Sequence, residues 1–141
     1  MRFSPILLAT ACSSPEGVLA VSVFGDTRVE SSRLESILDG AGLIVGLDIQ
    51  RGEQAPITIE LVDGGNEIVG RAFYYGGCQA HIRSSYDSVV LAHEIGHALG
   101  LMHIPEPTNF MAPNISMYNL DVEDWQYDWM FLRSSWLGLC T

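Results

Sequence analysis

His93-Glu94-Ile95-Gly96-His97-Ala98-Leu99-Gly100-Leu101-Met102-His103 holds three of the chain's four histidines. On a helix, residues four apart lie on one face about one turn apart, so His93 and His97 can present imidazole nitrogens to a single ion. Glu94, one position along, is rotated off that pair, and its carboxylate can reach a water on the ion without becoming a ligand. Gly100 permits the positive φ that ends a helix and reverses the chain, which would bring His103 back as a third ligand. Three neutral ligands leave one coordination position for water, the mark of a catalytic rather than a structural zinc site.

These residues carry a resemblance. His-Glu-x-x-His-x-x-Gly-x-x-His over 93–103 is the long zinc signature of the metzincin metallopeptidases, and Asn109-Phe110-Met111-Ala112-Pro113 resembles their Met-turn. Met-Ala-Pro is similar to the matrixin and reprolysin form, and the chain looks like a minimal bacterial matrixin, of the matrix metalloproteinase catalytic-domain type. The resemblance implies His93, His97 and His103 as ligands of one catalytic Zn2+ and Glu94 as general base. It also implies Gly100 as the turn glycine and Met111, with Pro113, as structural support beneath the metal. Astacins and serralysins place a tyrosine ligand where this chain has Pro113, so no tyrosine ligand is expected from this turn.

The implied fold is α+β and zincin-like: a twisted, mostly parallel sheet with an antiparallel edge strand, two long helices, and a small C-terminal subdomain ending in a helix. The implied activity is a zinc endopeptidase acting on protein or peptide substrates through a metal-activated water. Two other readings remain. A bacterial single-zinc endoribonuclease family shares the histidine spacing but lacks the glutamate after the first histidine. A catalytically inactive, zinc-stabilised binding module is the other.

At 141 residues the chain fits one domain, and at this size folding buries roughly two-thirds of the surface. The net charge of -10 argues against nucleic acid as partner, because that affinity rests on clustered Lys and Arg. There is no lysine, and the seven arginines are scattered. A monomer is expected.

Residues 1–17 read as an export leader or lipoprotein leader with a linker, and 18–141 as the catalytic domain. Met1-Arg2 is a charged start, Ile6-Leu7-Leu8 a brief apolar run, and Ala9-Thr10-Ala11 small residues before Cys12. Leu8-Ala9-Thr10-Ala11-Cys12 resembles a lipobox whose leucine stands one position too early, which makes Cys12 a candidate lipid anchor. The expected location is secreted, cell-surface or periplasmic, with no transmembrane span. Lipidation of Cys12 would leave Cys78 and Cys140 to pair in an oxidising compartment, or to remain free thiols.

Val18 to Phe24 reads as a strand, Arg28 to Asp39 as a helix capped by Thr27 and stopped by Gly40, and Ile44 to Ile49 and Ile57 to Val62 as further strands. Strand, helix, strand predicts parallel pairing. Ile68 to Gly77 reads as a loop or irregular strand, and Gln79 to Ser84 as the last strand, the antiparallel edge that substrate joins in metzincins. His81 on that strand is a surface histidine or a substrate contact. Ser84 to Asp87 fits a capping box for an apolar helix carrying the histidines. Asn114 to Leu120 would wall the pocket for the substrate side chain past the cut, with Tyr118 as the candidate lining residue. Asp121 caps a final helix with Glu123 and Asp124 in its first turn.

Overall fold

The computed structural model describes residues 17–25, 30–63, 70–74, 78–116 and 119–139. Five strands, β1 (Gly17–Gly25), β2 (Leu47–Arg51), β3 (Ile57–Val62), β4 (Gly70–Tyr74) and β5 (Ala80–Ser85), form a sheet in the order β2-β1-β3-β5-β4. All pairs are parallel except β4–β5. Helices α1 (Ser31–Val45), α2 (Ser88–Ala98) and α3 (Asp124–Leu137) complete the fold.

Period-two alternation decides which face the helices cover. Leu19 and Val21 of β1, Ile57, Ile59 and Leu61 of β3, and Ala80 and Ile82 of β5 are buried, and they cluster with Leu38, Ala41 and Val45 of α1 and Leu91, Ala92 and Ile95 of α2. Both helices therefore pack on one face of the sheet. Alternate residues, among them Phe24, Thr58, Glu60, His81 and Arg83, face the other way, and Phe24 and Arg83 are exposed.

Several boundaries differ from those the sequence predicts. The first helix runs through Gly40 to Val45, and its C-cap is Gly46, whose N–H donates to the Gly42 carbonyl at 2.8 Å. Gly40 is a packing contact: a Cβ there would lie 2.9 Å from Ser88 Cβ, and the Ser88 hydroxyl donates to the Ile37 carbonyl at 2.9 Å. The second strand accordingly starts at Leu47 rather than Ile44. Thr27 lies outside the described residues, and the N-cap of α1 is Glu30, without a side-chain bond.

The edge strand is also reassigned. Gly70 to Tyr74, expected as irregular, is the antiparallel edge β4, whereas the segment 79–84, expected at the edge, is the interior strand β5, paired on both sides. No helix among the described residues is long and apolar enough to cross a membrane.

Candidate metal centre

Helix α2 begins where the Asp87 carboxylate accepts from the N–H groups of Val89, at 2.8 Å, and Val90, at 3.1 Å. Asp87 alone caps it, so the expected capping box from Ser84 is not formed. The helix is apolar on nearly every side and buried from Val90 to Ile95. Burial fixes the direction of the polar side chains it carries. It ends in a tight turn: Gly100 N–H donates to the His97 carbonyl and Leu101 N–H to the Gly96 carbonyl, both at 2.9 Å, with Gly100 at φ 97. A side chain is strained at that φ, and the reversal carries the chain back over the end of its own helix.

His93, His97 and His103 come together through this turn, with ligand-capable atoms within 4.8 Å of one another and ring centroids 4.7 to 5.2 Å apart. His93 Nδ1–H donates to the Phe110 carbonyl at 2.7 Å and His97 Nδ1–H to the Leu101 carbonyl at 2.8 Å. A carbonyl only accepts, so each bond places the proton on Nδ1 and leaves Nε2 as a lone pair. His97 Nε2 faces His103 Nε2 at 3.1 Å, close to the roughly 3.3 Å between two nitrogens that hold a tetrahedral zinc at about 2.05 Å each. The donor set fits a metal ion. The second hydrogen bond on each of the two helical imidazoles is what a ligating histidine uses to hold its tautomer and orientation.

Electrostatics agree with that state. Burial pulls the His93 pKa down to about 4, against the opposing bond to Phe110, and the neighbouring histidines lower it further. His97 is lowered for the same reason, burial first, then the charge of His103. Both imidazoles are thus neutral near pH 7, as ligands must be. Glu94, 3% exposed, is pushed by burial up to about 7.

A cavity of about 540 Å³ opens over these groups, lined by Gly70 and Ala72 of β4, by His93, Glu94, His97 and His103, and by Pro113 and Ile115. The edge strand passes so close that a Cβ on Gly70 would lie 2.5 Å from Glu94 Oε2. Beneath the helix, Gly96 gives Met111 its place: a Cβ there would run into Met111 Sδ and lie 3.0 Å from the Phe110 ring. Met111 is fully buried.

Residues 47–128 match the matrixin family of peptidases. The chain belongs to the matrixin family. No individually curated protein matches it. Matrixins bind zinc and are peptidases, and the mostly parallel five-stranded sheet with one antiparallel edge pair is the fold of this family.

Within this matrixin the remaining sequence candidates are placed as follows. His81 is removed from the cleft: it lies on the opposite face of the sheet, with Thr58 Oγ1 at 2.8 Å from its Nδ1 and the Phe24 ring 5.8 Å away. Alternation set His81 opposite Ala80 and Ile82 but could not say whether that face met solvent or the cleft. Tyr118 lies outside the described residues. Among the described residues Pro113 and Ile115 line that side of the cavity, and Ile115 falls within the Asn114 to Leu120 segment expected as the wall, although the sequence did not single it out. Cys78 is disulfide-bonded. Cys12 and Cys140 lie outside the described residues.

Asp121, expected to cap the last helix, does other work. It forms a parallel bridge with Asn109: Phe110 N–H donates to its carbonyl at 2.8 Å, and Thr108 Oγ1–H donates to its Oδ2 at 2.7 Å. The cap is Glu123, in a reciprocal box with Gln126. Gln126, which sequence reasoning passed over, and Asn109, named there only as part of the Met-turn, are both buried and joined by two amide hydrogen bonds of 2.8 and 3.0 Å.

Proposed function

We propose that this chain is a zinc-dependent endopeptidase in which His93, His97 and His103 hold one ion and Glu94 is the general base. The observation that carries the reading is one convergence: three imidazoles and a buried carboxyl line a cleft bordered by the edge strand β4. Zinc held by three imidazoles supplies Lewis acidity, lowering the pKa of water to about 7 and polarising a carbonyl.

The chain's own groups do the rest. Glu94, whose buried carboxyl lines the cleft beside the imidazoles, would take a proton from water and return it to the leaving amine. The outer backbone of β4 offers main-chain donors and acceptors to an extended peptide, which would join the sheet as a further strand. Ala72, Pro113 and Ile115 make part of the wall apolar, which favours an apolar substrate side chain beside the cut.

Incubation of the zinc-loaded protein with denatured casein, and then with a peptide library, should give fragments whose formation a chelator abolishes. Glu94→Gln should keep zinc and lose about 10²–10⁴-fold in turnover. A fully active Glu94→Gln protein would remove Glu94 from its role. Zinc uptake with no cleavage under any condition would favour the inactive binding module.

We also infer export to an oxidising compartment, with Cys12 as the candidate lipid anchor; the disulfide at Cys78 supports it. Cell fractionation with mass spectrometry of Cys12 tests this, and protein confined to the cytosol with a free Cys78 thiol would defeat it.

A further inference from the structure

Helix α3 puts no side chain into the cleft, yet hydrogen bonds run from it to each of the two bends whose carbonyls orient the helical ligands. We propose that Gln126 and Trp129 are positioning residues for the metal centre, an inference that rests on the metal-centre reading above.

Gln126 is fully buried, where an amide is costly unless every bond it can make is satisfied. Its Nε2–H donates to Asn109 Oδ1 at 3.0 Å, and its Oε1 accepts from Asn109 Nδ2 at 2.8 Å and from the Glu123 N–H at 2.9 Å. Asn109 Oδ1 also accepts from the Met111 N–H at 2.8 Å. One amide on α3 therefore fixes the backbone from 109 to 111. The Phe110 carbonyl inside that stretch accepts from His93 Nδ1–H, and the Met111 carbonyl accepts, at 2.9 Å, from the N–H of Ile104, the residue after His103. Two ligands are thus oriented by a segment that Gln126 holds.

Trp129 serves the third. Its indole N–H donates to the Leu99 carbonyl at 2.8 Å, and Gly100 packs against its ring. The turn so fixed delivers Leu101, whose carbonyl orients His97. Trp129 is 42% exposed, so replacing it by phenylalanine removes the donor while keeping an aromatic ring on Gly100.

A purely structural role and a positioning role make different demands. The first lowers the melting temperature and leaves the folded protein's metal affinity alone. The second changes the affinity and the ligand field, since partners behind a ligand are worth about ten- to a hundred-fold in metal binding. The experiment compares the full chain as wild type, Gln126→Leu, Gln126→Glu and Trp129→Phe. Zinc affinity is read by competition with a chromophoric chelator, and Co2+ alone serves as a spectroscopic probe.

Gln126→Leu and Trp129→Phe should each bind zinc ten- to a hundred-fold more weakly and alter the cobalt visible spectrum. Gln126→Glu keeps the acceptor but loses the donor, and should fall between Gln126→Leu and wild type. Folded variants with wild-type zinc affinity and an unchanged cobalt spectrum overturn the proposal, whatever their melting temperatures. If Gln126→Leu does not fold, Gln126→Glu and Trp129→Phe decide by the same criteria. A wild-type protein that takes up neither metal defeats the metal-centre reading itself, an outcome distinct from variants that match a metal-binding wild type.

Discussion

At Gly96 the constraint is steric rather than chemical. The residue lies between Glu94 and His97 on the helix, and the Met111 thioether and Phe110 ring rest against its bare Cα. Gly96→Ala should therefore displace the turn that holds the His93 bond. Overpacking of this kind costs about 1–3 kcal/mol, so chemical denaturation should show a clear loss while helix content by circular dichroism stays constant. A variant as stable as wild type would mean that Met111 moves aside freely and supports nothing. The sequence made residues of this kind partly legible. Gly100 and the 93, 97, 103 spacing could be read because a left-handed turn and a helical period leave periodic traces, and the turn at Gly100 has the φ they require. Gln126 leaves none, since it owes its position to Asn109, a partner distant in the chain.

Among the elements, α2 has its N-terminus set by the residue next to it. Asp87 caps it through two backbone donors, so Asp87→Ala should cost about 1 kcal/mol, visible as a drop in melting temperature that Asp87→Asn or Asp87→Ser largely restores. Equal melting of wild type and Asp87→Ala would show that packing against α1 and the sheet fixes the helix start by itself. The elements that sequence patterns placed wrongly have a common cause. Gly40 looks like a stop, yet tertiary contact with Ser88 makes its small size an asset inside α1. Asp121 is the better cap by type, and its bridge to Asn109 takes it out of that role and leaves the cap to Glu123. The resemblance puts the antiparallel edge on the last strand before the histidine helix, whereas β4 pairs with the outer side of β5 and takes that place itself.

For the whole molecule, the buried acid and the buried imidazoles pull stability in opposite directions as pH changes. In the metal-free protein His93 titrates near 4 when folded and near 6.5 when unfolded. Its contribution is complete above pH 6.5 and is lost as pH falls toward 4, because the unfolded chain then binds the proton the folded one refuses. His97 is lowered by burial as well and acts in the same sense. Glu94, raised from 4.5 to about 7, does the reverse: the folded state holds the proton more tightly, so its contribution is present below pH 4.5 and is lost as pH rises through 7. Between pH 4.5 and 6.5 the His93 and Glu94 slopes oppose each other and largely cancel, so metal-free wild type should lose stability mainly below pH 4.5 and, through Glu94, between pH 6.5 and 7. Glu94→Gln removes only the alkaline arm. Relative to wild type the variant should gain stability between pH 4.5 and 8, by up to about 3 kcal/mol if the full shift is realised. Denaturant melts of both proteins at pH 5, 7 and 8.5 in the presence of a chelator measure this directly. Parallel curves would mean that Glu94 is solvated in the folded protein. Zinc adds a separate dependence, because acid competes for the same nitrogens. The increase in melting temperature on adding zinc should shrink as pH falls from about 6 toward 4, where His93 takes up its proton in the folded protein. Zinc stabilisation that stayed constant across that range would place the ion on groups other than imidazoles.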